Sequence, residues 1–334
     1  MENVGGVKKG NGPLEFSKYV GWHIELTRRC PLQCPACPRT YQHHLIPDTK
    51  KDINKNDLFN FFPRDQLQDL KYMLLCGNLG DPIYHPDFFE IVEYFYPVEI
   101  LQITTNGMNS DEFWKKALAI FPKNVRITLS IDGFDDTNSI YRVNSKWNRI
   151  QSLFDIIATV PRQCEIEWKF IVFEHNAHQI DRAAKYSKEI GIDRFRIQKT
   201  RPLNEDTDAN GTLKEKQINE HFKYSEEYLE ELYPFCQTMD MHYITAEGNY
   251  RPCCWWQDFE EDYVNEHGMW QDIHIKDLNQ FTAIQHFTKF YNNHLMTDYK
   301  CAPEACKIYC SVVKGNTQLG AVPNTQLNRN IIND

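Results

Sequence analysis

A regular alternation of strand-like and helix-like segments between residues 22 and 200 restricts the fold of this chain more than any other sequence feature. Short apolar alternations that end at Gly or Asn predict strands, and apolar residues spaced three and four apart predict helices. The predicted strands are residues 22–26, 72–76, 99–104, 125–130, 166–172 and 194–198, and the predicted helices are residues 64–70, 86–95, 111–120, 150–160 and 180–190. This pattern predicts an α/β fold, a parallel sheet or partial (β/α)6 barrel whose functional residues lie at the C-terminal ends of the strands.

The alternation stops near residue 200 and predicts a second, smaller unit. Residues 201–211 are rich in Asp, Asn and Pro and are typical of a linker. A helix over 215–232, a hairpin that turns at 247–249, a helix over 277–293 and a cysteine-rich segment follow. We therefore divide the chain into an N-terminal extension (1–17), a barrel (18–200), a linker with a helix (201–228), a small α+β domain (229–320) and a tail (321–334).

Composition narrows the class of protein. The chain has 334 residues, of which 41% are hydrophobic and 25% charged, with a net charge of −9, as in ordinary globular proteins without a membrane span. An acidic chain without a basic run argues against nucleic acid as a partner. Residues 1–16 contain no apolar stretch of the kind found in secretory signals, so we predict a cytoplasmic location. In that reducing compartment the eleven cysteines are better explained as metal ligands or reactive thiols than as disulfides.

The first cysteine group directly follows the first predicted strand. It reads Cys30-Pro-Leu-Gln-Cys34-Pro-Ala-Cys37, and its C-x3-C-x2-C spacing differs from the ferredoxin patterns, which need a fourth cysteine. Three thiolates can bind three irons of a cubane cluster and leave the fourth iron open to another ligand. The alternative is a structural zinc ion with His23, His43 or His44 as the fourth ligand.

This loop resembles the cluster-binding loop of the radical S-adenosylmethionine (SAM) superfamily, and the resemblance covers about residues 18–200. Further matches lie at later strand ends: residues 76–82 (Cys-Gly-Asn-Leu-Gly-Asp-Pro) resemble the GGEP region, and Thr104-Thr-Asn-Gly107 and Ser130-Ile-Asp-Gly133 resemble the ribose and methionine contacts. The resemblance implies a [4Fe-4S] cluster on Cys30, Cys34 and Cys37 that binds SAM. The SAM contacts that it implies are Gly77, Asn78, Gly80, Asp81, Thr105, Asn106, Ser130, Asp132, Arg142 and Lys169, the last two through the SAM carboxylate or through a substrate.

Two positions depart from the family pattern. The residue before the third cysteine is usually aromatic and covers the adenine, whereas this chain has Ala36 there. The second-strand motif has Asp81 where Glu is usual. Neither change removes a cluster ligand.

The second cysteine group resembles the SPASM and twitch extensions that follow radical SAM barrels. Cys236 precedes Gly248 by twelve positions, Cys253 follows it by five, and a glycine turn can bring the two thiols together. The candidate ligands of an auxiliary [4Fe-4S] cluster are Cys236, Cys253, Cys301, Cys306 and Cys310. We expect Cys236, Cys253, Cys306 and Cys310 to be the ligands and Cys301 to replace one of them if one does not bind. Cys254 is a weaker candidate because it alternates to the other side of its strand. A zinc site with four cysteine ligands is the alternative.

The resemblance implies an oxidoreductase mechanism. A reduced cluster cleaves SAM to a 5′-deoxyadenosyl radical, which abstracts a hydrogen atom from a substrate, and an auxiliary cluster aids net oxidation or crosslinking. Flavodoxin or ferredoxin would supply the electron. The expected substrate is a peptide; the alternatives are a small alcohol or sugar-like metabolite that is dehydrogenated, or a non-enzymatic electron-transfer or zinc-binding module.

The two solitary cysteines have different expected roles. Cys76 ends the second predicted strand and points toward the SAM motifs, so it is a candidate hydrogen-atom donor. Cys164 begins the fifth strand at the opposite end and is expected to be a small buried hydrophobe.

Overall fold

The structure is a computed structural model, and it describes residues 21–41, 49–199, 229–232, 241–251, 254, 273–290 and 311–313. Within these residues no helix is long and apolar enough to cross a membrane. The description below refers to these parts of the chain.

The central element is a nine-stranded sheet. Its strands are β1 (Gly21–Ile24), β2 (Tyr72–Leu75), β3 (Ile100–Thr105), β4 (Val125–Ser130), β5 (Glu165–Val172), β6 (Arg194–Lys199), β8 (Met241–Ile244), β9 (Asn249–Arg251) and β10 (Ile273–His274). Their order is β10-β9-β8-β1-β2-β3-β4-β5-β6, and β1 to β6 are parallel neighbours in the order of the chain. All six strands predicted for the α/β unit are present, with ends shifted by at most two residues, which confirms the fold class.

Helices connect the parallel strands. They are α1 (Pro38–Tyr41), α2 (Lys55–Phe61), α3 (Phe88–Tyr94), α4 (Asp111–Ile120), α5 (Asp135–Tyr141), α6 (Trp147–Thr159) and α7 (Ile180–Glu189), and α8 (Gln280–Phe290) follows β10. The sequence analysis missed α2. This helix begins at Asn54, whose side chain accepts hydrogen bonds from the backbone N–H groups of Asn56 and Asp57. The helix predicted over 64–70 is a 3-10 helix, Arg64–Asp69.

The two faces of the sheet differ in chemistry. On one face, Trp22, Met73 and Trp168 are fully buried in the hydrophobic core, where Trp22 meets Phe61 of α2 edge to face at 5.2 Å and Trp168 packs on Phe154 of α6 at 4.9 Å. Most of the alternate residues of the same strands are polar and face the other side, which we call the polar face. A chain of hydrogen bonds crosses it from β2 to β6: Tyr72 to Gln102 (2.8 Å), Gln102 to Thr128 (3.1 Å), Thr128 to Glu167 (3.3 Å) and Arg196 to Glu167 (2.7 Å). A purely structural parallel sheet is apolar on both faces, so this polar face indicates a site.

The hairpin β8–β9 belongs to the main sheet. It turns at Gly248, whose φ of +86° is in the left-handed region, as the sequence predicted. We expected this hairpin inside a separate small domain, but β8 pairs in parallel with β1 along its whole length, from Gly21 beside Met241 to Ile24 beside Ile244. A strand from beyond the linker therefore completes the hydrogen bonding of the first strand.

One predicted helix is wrong at its C-terminal end. Residues 229–232, predicted as the end of the helix 215–232, form strand β7 (Leu229–Leu232), which pairs antiparallel with β11 (Ser311–Val313). Pairing with a distant strand has overridden the helical propensity of Leu and Glu. The rest of the predicted helix, residues 215–228, lies outside the described residues.

Candidate active site

The first cysteine group lies on the loop that links β1 to α1, at the C-terminal end of the parallel sheet. The three thiols of Cys30, Cys34 and Cys37 are all partly exposed. A turn in which the Cys37 backbone N–H donates to the Cys34 carbonyl oxygen (3.0 Å) sets the second and third cysteines close together. The loop is thus folded into a compact shape that keeps its three sulfur ligands accessible.

Each of these thiols contacts a residue that the sequence singled out elsewhere in the chain. The Asn106 side-chain amide, after β3, donates to Cys30 Sγ at 3.5 Å. Cys37 Sγ lies 3.8 Å from the carbonyl oxygen of Asn78, after β2. Arg142, after α5, hydrogen-bonds the Cys34 thiol. The segments after β2, β3 and α5 therefore converge on the three cysteines.

The electrostatics of the thiols suit a cationic cluster. Burial, with a smaller contribution from the nearby charges of Asp81, Cys34 and Cys37, raises the pKa of Cys30 to about 12. Burial also raises the pKa of Cys34, against the opposing effect of Arg142. Iron in a cluster would compensate the negative charge and bind the thiols as thiolates. Three thiols on one loop are therefore the type of donor that a three-cysteine iron–sulfur cluster uses.

The zinc alternative uses the same three cysteines. Among the residues that the structure describes, no group of three or more His, Cys, Asp or Glu side chains is placed to hold a metal ion, and this includes Cys30, Cys34 and Cys37. His23, one of the proposed fourth zinc ligands, lies on β1 and has its Nε2 atom 2.5 Å from the Cys76 carbonyl oxygen. His43 and His44 lie outside the described residues.

The loop after β2, residues 77–80, is held by a buried carboxylate that the sequence analysis did not identify. Glu25 directly follows β1 and is fully buried. Its Oε1 atom accepts hydrogen bonds from the backbone N–H groups of Leu79 (2.6 Å) and Gly80 (3.2 Å), and its Oε2 atom accepts one from the Tyr243 hydroxyl (3.0 Å). A carboxylate that accepts several hydrogen bonds is a strong anchor, so Glu25 fixes this loop relative to β1 and β8.

Both predicted glycines of this loop are required by close contacts. A Cβ atom on Gly80 would lie 1.9 Å from the Thr27 carbonyl oxygen, and one on Gly77 would lie 2.2 Å from the Gly80 carbonyl oxygen. No larger residue fits at either position unless the backbone shifts. The loop therefore packs directly against the start of the cysteine loop.

The Asp81 carboxylate forms hydrogen bonds with other residues of the protein. Its Oδ2 atom accepts hydrogen bonds from the Thr105 hydroxyl (3.0 Å) and the Asn106 backbone N–H (2.7 Å), and its Oδ1 atom accepts one from the Ile83 N–H (3.3 Å). Burial raises the pKa of Asp81 to about 6, although these hydrogen bonds favour its ionised form. Asp81 thus joins the ends of β2 and β3 and sets the position of Asn106, which contacts Cys30.

Asp132 and Arg142 form a buried ion pair after β4. The Arg142 Nε atom lies 2.6 Å from Asp132 Oδ2, and Asp132 Oδ1 accepts a hydrogen bond from the Ile171 N–H (2.8 Å). Asn176, which the sequence analysis missed, is fully buried and donates to the Asp132 carbonyl oxygen at 2.7 Å. The pair is therefore fixed by both β4 and β5, and Asp132 orients the guanidinium toward Cys34.

Cys76 follows β2 directly and has a histidine and a second cysteine as neighbours. The His23 ring hydrogen-bonds both the Cys76 and the Cys254 thiols, and the Cys254 carbonyl oxygen accepts a hydrogen bond from the Asn78 side chain at 2.6 Å. Cys254, which we ranked as a weaker candidate for the auxiliary cluster, thus lies near the same residues as Cys76. Cys164 is fully buried, as expected.

The candidate ligands of the auxiliary cluster, Cys236, Cys253, Cys301, Cys306 and Cys310, lie outside the described residues. The auxiliary cluster therefore stays a prediction of the sequence.

Comparison with known proteins agrees with this fold. No family model matches the sequence. Among solved structures, Streptococcus suis SuiB bound to S-adenosylmethionine is similar, with a TM-score of 0.59, 14% identity, and coverage of 87% of this chain and 72% of SuiB. SuiB bound to precursor peptide SuiA has a TM-score of 0.57 at 14% identity, and the match covers 87% of this chain and 70% of SuiB. Native anSMEcpe with bound AdoMet and Cp18Cys peptide has a TM-score of 0.54 at 16% identity, and the match covers 87% of this chain and 88% of anSMEcpe. The chain thus has the fold of radical SAM enzymes, as its sequence predicted.

Proposed function

We propose that this protein is a radical SAM enzyme that cleaves S-adenosylmethionine and abstracts a hydrogen atom from a peptide. The observation that carries the proposal is the convergence on the three thiols of the cysteine loop of Asn78 and Asn106, from the ends of β2 and β3, and of Arg142, from the end of α5. The similar structures of SuiB and anSMEcpe, which were solved with SAM and with peptides, support both the cofactor and the substrate class.

The residues of this chain have distinct tasks in the proposed reaction. Cys30, Cys34 and Cys37 would hold the [4Fe-4S] cluster, which when bound supplies one electron that cleaves SAM to a 5′-deoxyadenosyl radical. Arg142 presents a cation beside Cys34 that is suited to the SAM carboxylate, while Asp132 keeps it oriented. Glu25 and the two glycines hold the loop 77–80 so that its backbone groups can bind the methionine amine. The protein thus binds and orients, while the cofactor carries the chemistry.

The finer parts of the proposal rest on the sequence. An auxiliary [4Fe-4S] cluster on the C-terminal cysteines would accept an electron from the substrate and so favour net oxidation or crosslinking. A flavodoxin or ferredoxin would deliver the first electron, and we propose the cytoplasm as the location because so many free cysteines need a reducing compartment.

The test uses anaerobically reconstituted protein with SAM and dithionite. Wild type should release 5′-deoxyadenosine, and the variant Cys30→Ala/Cys34→Ala/Cys37→Ala should release none. Cys164→Ala is the matched control, since Cys164 is buried at the opposite end of β5 and should leave the product unchanged. SAM cleavage by the triple variant would refute the proposal.

Iron counting on the same proteins tests the auxiliary cluster. Two [4Fe-4S] clusters predict about eight irons in wild type and about four in the triple variant. A wild type with only about four irons would refute the auxiliary cluster and leave the SAM chemistry standing.

A further inference from the structure

Basic residues lie on two sides of the cysteine loop. The segments 28–41, 106–110 and 138–154, which form the loop and its neighbours, contain no Asp or Glu, although the chain as a whole has 46 acidic and 37 basic residues. The cations of these segments and of the adjoining residues 49–51, which we call the basic surface, are Arg28, Arg29, Arg39, Lys50, Lys51, Arg142, Lys146 and Arg149. Positive charge therefore predominates around the cysteine loop of an acidic protein.

The first side of the basic surface lies along the start of the cysteine loop. The Arg28 backbone N–H donates to the Lys51 carbonyl oxygen at 2.8 Å, which places residues 50 and 51 next to the loop. Lys50 is exposed. The Arg39 Nη1 atom, from the other end of the loop, donates to the Leu32 carbonyl oxygen at 3.1 Å, so this guanidinium folds back onto the loop.

The second side is formed by the residues that follow α5. The Gln33 backbone N–H, in the middle of the cysteine loop, donates to the Val143 carbonyl oxygen at 3.0 Å. Lys146 is exposed, and its backbone N–H lies 3.4 Å from the Met108 Sδ atom. Met108 is two residues beyond Asn106, whose side chain contacts the first cysteine. This segment therefore lies beside the loop and carries Lys146 at the protein surface.

Only part of this positive charge has a role inside the protein. Arg28 pairs with Glu247 at 2.7 Å, Arg29 pairs with Asp52 at 2.8 Å, and Arg142 has the buried carboxylate described above as its partner. The exposed lysines on the two sides are different, because water and salt screen an exposed charge and leave it little effect on a buried site. Stabilisation of the site from within does not explain them, whereas recognition of an external partner does.

We infer that the basic surface docks an acidic one-electron carrier protein, a flavodoxin or a ferredoxin. In the proposed reaction the reduced carrier gives one electron to the cluster that Cys30, Cys34 and Cys37 would hold, and the carrier is itself oxidised by one electron. Electron transfer slows steeply with distance, so the carrier must dock beside this loop. Complementary charge speeds such short-lived encounters. The inference rests on the proposed function, because it takes reduction of this cluster as the first step.

The test compares two charge-reversal variants with the same net charge. Lys50→Glu/Lys146→Glu alters the basic surface. The control, Lys71→Glu/Lys123→Glu, alters two exposed lysines that lie just before β2 and β4 and therefore at the opposite end of the sheet. Each reconstituted protein receives SAM and one of two reductants, and release of 5′-deoxyadenosine is measured. The reductants are dithionite, which needs no docking surface, and a flavodoxin that NADPH and a flavodoxin reductase keep reduced.

We expect the basic surface to matter only for the protein reductant. The flavodoxin concentration for half-maximal rate should rise about tenfold or more in Lys50→Glu/Lys146→Glu and change little in the control. Rates with dithionite should be equal in all three proteins. Added salt should slow the flavodoxin-driven rate of wild type more than that of Lys50→Glu/Lys146→Glu, because it screens the attraction between the two proteins.

Carbodiimide crosslinking is a second measurement, and it needs neither SAM nor turnover. The reagent joins ammonium groups to carboxylates that are in contact. Reconstituted wild type and oxidised flavodoxin, mixed at low salt, should give crosslinked peptides that contain Lys50, Lys51 or Lys146. Lys71 and Lys123 should give none, and mass spectrometry distinguishes the two sets.

Any of four results would overturn the inference: no flavodoxin-driven product from a wild type that is active with dithionite, a flavodoxin response of Lys50→Glu/Lys146→Glu equal to that of the control, an equal loss of rate with dithionite, or crosslinks that avoid the basic surface. If instead Lys50→Glu/Lys146→Glu changes the response of dithionite-driven release to acidic peptides, the surface binds substrate. Failure of the proposed function is a different result, namely no 5′-deoxyadenosine from wild type with dithionite, and crosslinking still tests the surface in that case.

Discussion

Removal of the Glu25 carboxylate should release the loop 77–80 from the sheet. In Glu25→Ala the buried N–H of Leu79, now 2.6 Å from Oε1, loses its acceptor, and the Gly80 N–H and the Tyr243 hydroxyl lose theirs as well. A buried donor without a partner costs about 1–3 kcal/mol. The Gly80 N–H is only partly buried and can turn to water, so we expect a total loss of about 3 kcal/mol in the free energy of unfolding.

Tyr243→Phe is the matched control, because it removes only the third of these hydrogen bonds and should cost about 1 kcal/mol. Denaturant unfolding of both variants measures the difference directly. Glu25→Gln can still accept from the loop with its carbonyl oxygen and should fall between the two, since only the charge assistance is lost.

The same variants test the role of the loop in the site. Titration calorimetry with S-adenosylhomocysteine should show affinity about tenfold weaker in Glu25→Ala and nearly unchanged in Tyr243→Phe. Equal unfolding free energies for Glu25→Ala and Tyr243→Phe, together with equal affinities, would refute the assignment of Glu25 as the anchor of this loop.

Two further predictions concern stability. Gly80→Ala would place its Cβ atom 1.9 Å from the Thr27 carbonyl oxygen and should lower the free energy of unfolding in denaturant by about 3 kcal/mol. Gly191→Ala is the control: a Cβ atom there has open space but the residue has a φ of +78°, so it should lower the free energy of unfolding by only about 1 kcal/mol. Equal losses in the two variants would contradict the steric argument. Burial lowers the pKa of His242 to about 3, so the unfolded chain takes up a proton first as the pH falls below about 6.5 and stability is lost from there downward. Between pH 6.5 and 5 the unfolding free energy of wild type should fall by about 2 kcal/mol more than that of His242→Phe, and parallel pH profiles would contradict this.

The sequence was sufficient to place, relative to the sheet, the motifs that are local in the chain. The three cysteines, the glycine loop and the motifs after β3 and β4 each follow a strand within a few residues, so hydrophobic periodicity located them at one end of the sheet. The contacts of Asn106 with Cys30 and of Arg142 with Cys34 agree with that placement.

The parts that sequence reasoning missed depend on long-range pairing. Glu25 was passed over because its role needs Tyr243, a partner 218 residues away on a strand that was assigned to another domain. Because the hairpin was assigned to another domain, the sequence analysis also missed that Cys254 approaches Cys76. The contacts of Glu25 and of Cys254 both depend on the pairing of β8 with β1. A signal was nevertheless present: strand residues that alternate charged and apolar, as in Glu165–Val172, indicate a polar face that is not exposed to bulk water.

The pairing of β1 with β8 also has a consequence for folding during synthesis. The strands β1 to β6 can assemble as they leave the ribosome, but one edge of β1 must wait until a segment more than two hundred residues later has been made. Until then Trp22 lacks its contact with His242, which it meets at 5.1 Å in the finished fold, and β1 is an unprotected edge that other chains can pair with. A fragment that ends after β6 should therefore aggregate even though it contains the whole cysteine loop.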